Sequence, residues 1–199
     1  MVKPFNLLNK VLNFSAERYL KTAGDLFIYD GDYETALSMV DKTLEIEPHD
    51  TRALVLKGDI LFCMNRDLEA LQCFNKALKL NALCAEAYIS KASVLDILGK
   101  HREALECCNR AFLLITRQNE YLLSSLFDQK LTLLLRLKRF REAQQLLQAA
   151  AESLSGDEHT YLLSCYKGLI ERGCQDRHEL RNKAKGLSLT VIPGYKVAP

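Results

Sequence analysis

Apolar residues recur three or four positions apart along most of the chain, which is the spacing of one face of an α-helix. Leu54, Leu61 and Phe62 form one such stripe, and a second stripe runs from Leu68 to Leu78 after a short polar turn. Residues 49–192 contain no proline, which favours helices because proline removes a backbone donor and clashes in a helix interior. The pattern predicts an all-α protein built from pairs of helices.

The helix pairs repeat along the chain with a period of about 34 residues, which is in the range of solenoid repeats. Glycine lies inside two successive amphipathic segments, at Gly24 and Gly58, which are one such period apart. Because only small side chains let two helix backbones approach closely, we expect both glycines at helix crossing points. Alanine also recurs at one repeat position, at Ala36, Ala70, Ala104 and, after a longer interval, Ala143. Several repeat positions that share one period indicate a solenoid of stacked helix pairs.

The repeated residues resemble the tetratricopeptide repeat family, whose pattern places small and bulky apolar residues at fixed positions over about 34 residues. The clearest match extends from Leu20 to Pro48, and the next from Leu54 to Leu78. The resemblance implies a right-handed superhelical solenoid of antiparallel helix pairs, with about four repeats plus terminal helices. The expected repeats are residues 17–50, 51–84, 85–118 and 124–157.

Segments outside the four repeats are expected at both ends. Residues 1–14 are predicted to form an N-terminal helix or extension, residues 158–186 capping helices, and residues 187–199 an extended tail. A further helix is expected to begin at Asp176. Five extra residues precede the fourth repeat, so its first helix is predicted to be about one turn longer, from Asn119 to Leu137.

Charge and hydropathy restrict the classes of partner. The chain has 27 Lys and Arg against 25 Asp and Glu, a net charge of +2 that is too small to attract nucleic acid in bulk. No run of about 18 apolar residues occurs, so we expect no membrane span. The first residues lack the apolar core of a signal peptide, so a cytoplasmic location is expected. The oligomeric state stays open.

No motif points to catalysis, a cofactor or a metal. The seven cysteines are odd in number and include no C-x-x-C pair, so most are interpreted as packing residues in a reducing compartment. Cys63 is the candidate for a reactive surface thiol. The four histidines lie far apart, without a Cys–His grouping. We therefore expect a protein that is not an enzyme.

The resemblance implies that the first helix of each pair lines a concave groove, which begins basic, has an apolar middle and becomes acidic or neutral. We expect the partner to be a protein or peptide. Only Lys21 fits the carboxylate clamp of chaperone-tail domains, and Asp25 and Glu86 would repel a terminal carboxylate. The expected groove residues are Arg18, Lys21, Asp25, Arg52, Val55, Asp59, Phe62, Glu86, Ile89, Ser93, Asp128 and Thr132.

The predicted function is that of a protein-interaction adaptor or scaffold that binds a peptide or helix in this groove. A secretion or assembly chaperone that shields a partner is the alternative hypothesis. A regulatory subunit of an enzyme is a further one.

Overall fold

The computed structural model describes residues 4–153, 160 and 164–176. Within these residues the chain forms helices and short links, and no strand. This confirms the all-α prediction. The helices are α1 (Pro4–Asp25), α2 (Tyr33–Ile46), α3 (Thr51–Cys63), α4 (Asp67–Leu80), α5 (Ala85–Ile97), α6 (His101–Leu113), α7 (Leu123–Arg136) and α8 (Phe140–Ser153), and residues 164–176 are also helical.

Two helix starts are fixed by aspartate caps. The Asp32 side chain accepts a hydrogen bond from the backbone N–H of Thr35 at the start of α2. Asp50 accepts from the N–H groups of Arg52 and Ala53 at the start of α3. Such caps satisfy backbone donors that have no partner inside the helix, which is why the chain turns into a helix at these residues.

The short turns inside the helix pairs each contain one residue with left-handed backbone. The residues are Gly31, Asn65, Gly99 and Lys138, with φ between 55° and 74°. In all four turns, one further residue lies between the left-handed residue and the start of the second helix of the pair. Glycine and asparagine adopt left-handed backbone at low cost, and they occupy three of these four positions. Lys138 occupies the fourth.

The chain divides into two compact units, residues 1–129 and 130–199. In the first unit α1 packs on α2, α3 on α4 and α5 on α6, and α2·α3 and α4·α5 contacts join successive pairs. One buried cluster lies around Phe74 and Leu61, between α3, α4 and α5, and another lies around Val40 and Ile60. Side chains therefore pack between sequential neighbours, as in a solenoid.

The two glycines expected at crossing points have different surroundings. A Cβ on Gly58 would lie 2.5 Å from Cε1 of Phe74, so the ring of α4 packs directly on this glycine. A Cβ on Gly24 would meet no heavy atom of the described residues within 4 Å. The expectation of a close crossing is therefore wrong for Gly24, because Val40 stands where the larger Phe74 stands one repeat later.

Two expected element boundaries differ in the structure. α1 is continuous from Pro4 to Asp25, so there is no separate helix before residue 14, and a π-helical segment, Leu26–Asp30, follows it. The first helix of the fourth repeat, expected from Asn119 to Leu137, is α-helical from Leu123 to Arg136, and a 3-10 turn runs directly into its start. The extra residues form an irregular link and a short 3-10 turn, Glu120–Leu122, in which Asn119 accepts from the backbone N–H of Thr116.

The second unit contains the later part of α7, α8 and helix 164–176. The Thr132 hydroxyl lies 2.8 Å from the hydroxyl of Tyr166. Gly173 faces the ring of Phe140, where a Cβ would collide. Asp176 is the last described residue of helix 164–176, so no helix begins at that residue. Most of the expected capping segment, and all of the expected tail at 187–199, lie outside the described residues.

Candidate functional site

The candidate site of the first unit is the surface of α1, α3 and α5, together with α7 up to Gln129, which we call the first-helix face. It contains most of the expected groove residues. On α1, Arg18, Lys21 and Asp25 lie at or near the surface. Their spacing of three or four positions places them on one side of the helix.

Arg52 is held by two carboxylates. Its guanidinium donates to Glu17 on α1 at 2.8 and 3.2 Å, and to Asp50 at 3.1 Å. The hydrogen bond from Arg52 lowers the pKa of Glu17. Arg52 therefore links α3 to α1, and its charge is balanced by neighbouring side chains.

Asp59 is a carboxyl group that lies largely inside the protein. Burial raises its pKa from 3.8 to about 6, and a side-chain hydrogen bond with Ser90 on α5 opposes part of that rise. Loss of water disfavours the charged form, which is the reason for the direction of the shift. Asp59 thus joins α3 to α5.

Ser93 takes part in a second bond between first helices. The Gln129 amide nitrogen donates to the Ser93 hydroxyl at 2.7 Å and to the carbonyl oxygen of Ile89 at 3.2 Å. The thiol of Cys108 donates to the amide oxygen of Gln129 at 3.2 Å. Gln129 therefore fastens α7 to α5 and contacts α6 as well.

The same relationship recurs in the second unit. Thr132 stands at the repeat position of Asp59 and Ser93, and its hydroxyl pairs with Tyr166. In each case the hydrogen-bonding partner lies on the next first helix. We call these three pairs the polar ladder: Asp59–Ser90, Ser93–Gln129 and Thr132–Tyr166.

The acidic residues Glu86 and Asp128 lie on α5 and α7. Both are half-buried. The hydroxyl of the exposed Tyr121 donates to Glu86 at 3.2 Å. Asp96, at the end of α5, lies 2.7 Å from Nδ1 of His101. Carboxylates therefore dominate the α5 part of the face, whereas α1 carries the cations Arg18 and Lys21 together with Asp25.

The apolar groove residues differ in how far they can be reached. Val55 is only 9% exposed and belongs to the core cluster around Phe74. Phe62 and Ile89 are half-buried, so part of each side chain reaches the surface.

An additional apolar row lies at the ends of the first helices. Tyr29 is 80% exposed, Ile97 is 65% exposed, and the exposed Cys63 stands between them in the sequence. The three residues are spaced by one repeat each, so they occupy one repeat position. Ile97 is not among the expected groove residues, although its repeat spacing from Tyr29 could have identified it. We call these residues the apolar row.

Cys63, the candidate for a reactive surface thiol, is exposed at the end of α3. Burial, and to a smaller extent the Asp59 carboxylate, raise the pKa of the Cys63 thiol. A raised pKa reduces the thiolate fraction, so the hypothesis of a reactive thiol at Cys63 is not supported. Burial likewise raises the pKa values of Cys73, Cys84 and Cys107.

Among residues 4–153, 160 and 164–176, no group of three or more His, Cys, Asp or Glu side chains is arranged to hold a metal ion. No helix within these residues combines the length and the apolarity that a bilayer crossing requires.

Comparisons with known proteins agree with the helical architecture. Residues 51–82 and 85–115 match the sequence profile of the family described as Tetratricopeptide repeat. No curated protein matches the chain at a significant level.

Solved structures of similar fold share low sequence identity with this chain. A crystal structure of MamA protein is 15% identical, covers 93% of this chain and 98% of its own, and has a TM-score of 0.60. YrrB, described as a TPR protein with an unusual peptide-binding site, is 22% identical, with coverages of 88% and 89% and a TM-score of 0.60. The TPR2B domain of yeast Sti1, in a complex with pHsp70, is 20% identical, with coverages of 59% and 94% and a TM-score of 0.55. At these identities the likeness concerns the fold.

Proposed function

We propose that this chain, in which residues 51–82 and 85–115 match the Tetratricopeptide repeat profile, is a non-enzymatic scaffold whose first-helix face binds a segment of another protein. The observation that carries the proposal is the apolar row, in which Tyr29 and Ile97 are both mostly exposed. Large apolar side chains at one repeat position give the first and third repeats the same kind of contact. Aromatic anchors of this type contribute much of the binding energy at protein interfaces.

The charges of the first-helix face suggest the order of side chains in the partner. Arg18 and Lys21 lie on α1, and Glu86 and Asp96 lie on α5. Phe62 on α3 lies between them in the order of the helices. We therefore expect a segment whose acidic residues meet α1, whose apolar residues meet α3 and the apolar row, and whose basic residues meet α5.

Four of the expected groove residues receive a different role in this proposal. Asp59, Ser93 and Thr132 belong to the polar ladder, so their hydrogen-bonding capacity is used between helices. Val55 is part of the core. These residues position the first helices, and the exposed residues beside them make the contacts with the partner.

Two of the similar structures support a peptide as the ligand. The Sti1 TPR2B domain was solved with pHsp70, and YrrB is described by its peptide-binding site. The acidic Glu86 and Asp25 of this chain disfavour a partner that ends in a cluster of carboxylates. The proposed ligand is therefore a segment with mixed charges.

Affinity purification with matched variants tests the proposal. The Tyr29→Ala variant should recover a given partner with about tenfold lower yield than wild type, because an aromatic anchor is lost. Its control is Leu113→Ala, which removes an equally exposed apolar side chain from α6, outside the first-helix face.

A second pair of variants tests the charges. Lys21→Glu should reduce recovery, whereas Lys76→Glu on α4 makes the same charge change at another exposed site. If both members of each pair recover the same partners in equal yield, the first-helix face is not the binding surface.

A further inference from the structure

A pocket lies between α4, α5 and α6, and we call it the α4–α6 pocket. Its volume is about 500 Å³, which is in the size range of ligand sites. Tyr88, Lys91 and Leu95 line it from α5. Lys91 follows Ile89 of the first-helix face by two positions, which turns its side chain about 200° around the helix axis. The α4–α6 pocket is therefore a surface separate from the peptide-binding face proposed above.

The carboxylates of the α4–α6 pocket, Glu103 and Glu106, both lie on α6. Each already has a cation beside it. Glu103 lies 3.8 Å from the ammonium group of Lys100, and Glu106 lies 3.9 Å from the guanidinium group of Arg110, which also lines the pocket. The negative charges on α6 are therefore balanced by residues of the same helix and of the turn before it.

The two lysines of the α4–α6 pocket have no such neighbour. Lys79 lies near the end of α4, and Lys91 lies in the middle of α5. Among the described residues, no carboxylate oxygen lies within 4 Å of either ammonium group. Lys91 is half-buried. A cation that is partly removed from water without a counterion favours the binding of an anion beside it.

The preceding repeat contains the counterion that Lys91 lacks. Lys57 stands at the repeat position of Lys91, and its ammonium group forms an ion pair with Asp41 of α2 at 2.6 Å. The residue at the repeat position of Asp41 is Asn75, which lines the α4–α6 pocket and carries no charge. The chain therefore repeats the cation in α5 but not the carboxylate that neutralises it.

A second exchange on the same helix acts in the same direction. Lys79 occupies the repeat position of Glu45. The two carboxylates of α2, Asp41 and Glu45, are thus replaced in α4 by the amide of Asn75 and the ammonium group of Lys79. An amide nitrogen and an ammonium group both donate hydrogen bonds to an anion. The α4 side of the pocket has therefore changed from repelling an anion to attracting one.

The thiol of Cys107 shows that these charges converge. It is 8% exposed and lines the α4–α6 pocket. Burial raises its pKa, and among the charged groups around it Lys91 has the largest effect, which is to lower that pKa; Glu106, Glu103 and Arg110 act less strongly. Lys91 is therefore directed towards the interior of the pocket, where little water is present to screen its charge.

We propose that the α4–α6 pocket binds an aspartate or glutamate side chain of a partner protein, held by Lys91, Lys79 and Asn75. Charge complementarity favours this occupant, because a carboxylate would supply the counterion that both lysines lack. Leu78 and Tyr88 are half-buried and line the same pocket, so apolar residues beside the acid have side chains to contact. The carboxylates on α6 direct the acid towards α4 and α5 by repulsion.

Nuclear magnetic resonance titration of the full chain, labelled on its backbone nitrogens, tests this proposal. The probe is the peptide acetyl-Ser-Leu-Asp-Leu-Ser-amide, and its control is the same peptide with Asn in place of Asp. The Asp peptide should shift the backbone signals of Asn75, Lys79 and Lys91 in a saturable way. It should bind about fivefold more tightly than the Asn peptide, because only the carboxylate gains an ion pair.

Matched variants of the two repeats sharpen the test. Lys91→Gln should weaken binding of the Asp peptide by about fivefold. Lys57→Gln removes the same charge where Asp41 already neutralises it, so the affinity should not change. Asn75→Asp keeps both lysines and adds only the carboxylate of the preceding repeat, and it should weaken binding as much as Lys91→Gln does. Circular dichroism of each variant verifies that its helices are intact.

Several results would overturn the proposal. These are equal binding of the two peptides or of neither, unchanged affinity in Lys91→Gln or Asn75→Asp, and an equal loss in Lys57→Gln. Inorganic phosphate is the second probe, and tighter binding of phosphate than of the Asp peptide at Lys91 would identify a phosphate site instead. Shifts confined to Lys21 and its neighbours would place the acid on the first-helix face, which would support the proposed function and contradict this pocket.

Discussion

The first and second repeats contain the same residues at several equivalent positions, yet these residues have different surroundings. Gly24 and Gly58 are one repeat apart, but only Gly58 lies against an aromatic ring. The residue that faces this position on the second helix is Phe74 in the second repeat and Val40 in the first. A repeat position therefore sets where a residue lies, and the size of its neighbour sets whether the residue must be small.

The aspartates of the two repeats differ in the same way. Asp25 is exposed, whereas Asp59 is largely buried and bonded to Ser90. The residue that stands at the position of Ser90 one repeat earlier is Leu56, which has no polar atom in its side chain. The polar ladder therefore starts at the second repeat, and matched substitutions in the two repeats can measure this difference.

The largest effect is expected for Phe74→Ala. Phe74 is fully buried on Gly58, so its loss should lower the free energy of unfolding by about 3–5 kcal/mol. Urea unfolding followed by circular dichroism measures the change. The control is Phe14→Ala, in which the same atoms are removed from a side chain that is 73% exposed. Similar losses for the two variants would contradict the assigned core.

The second effect concerns the pH dependence of stability. The pKa of Asp59 is higher in the folded chain than its ordinary value, so the folded state binds the proton more tightly than the unfolded state. The stabilisation that the protonated carboxyl provides is complete below about pH 4 and is lost as the pH rises through about 6. The loss should amount to about 3 kcal/mol, and Asp59→Asn should remove it.

Unfolding midpoints measured between pH 4 and pH 7 test this expectation. Asp25→Asn is the matched control, because it makes the same substitution at an exposed aspartate one repeat earlier. If wild type and Asp59→Asn have parallel profiles, Asp59 is not the group that titrates.

The third effect is a difference in sign between the two glycines. Gly58→Ala should destabilise the chain by about 1–2 kcal/mol, because its methyl group overlaps the Phe74 ring more than the better helix propensity can offset. Gly24→Ala should stabilise it by about 0.5–1 kcal/mol, because the helix gains propensity and the methyl group meets open space. Denaturation midpoints that shift in the same direction would refute the comparison.

The smallest effect is expected at the arginines of the two repeats. Arg52→Ala should change the unfolding midpoint only slightly. The Arg52 side chain is exposed, and water weakens its ion pairs with Glu17 and Asp50. Any change should shrink further in high salt. Arg18→Ala, at the equivalent position, should have no effect. A salt-independent loss at Arg52 would mean that its pairing is stronger than its exposure indicates.

The periodic apolar residues were sufficient to predict the helices, because burial of one helix face is encoded at the spacing of three and four residues. The column of alanines and Gly58 also predicted where paired helices meet. Gly24 was interpreted wrongly because packing depends on two residues at once, and Val40 had to be considered with it.

The first-helix face was predicted only in part. Helical spacing placed Asp59 and Ser93 on the same side of their helices, but it could not indicate that Ser90 and Gln129 would bond to them. These partners lie 31 and 36 positions away, on another helix, so the three-dimensional arrangement of the helices is needed to find them. Ile97, which was not among the expected groove residues, required the comparison of repeats.

The left-handed residues in the turns restrict where the chain can change in length. Gly31, Asn65, Gly99 and Lys138 each help to reverse the backbone within a short turn, so an inserted residue would shift the following helix around its own axis. The links between successive pairs carry no such requirement, and the five additional residues before α7 are accommodated there, between Leu113 and Leu123. Evolutionary insertions, and peptide tags placed by an experimenter, should therefore be tolerated between repeats and rejected within them.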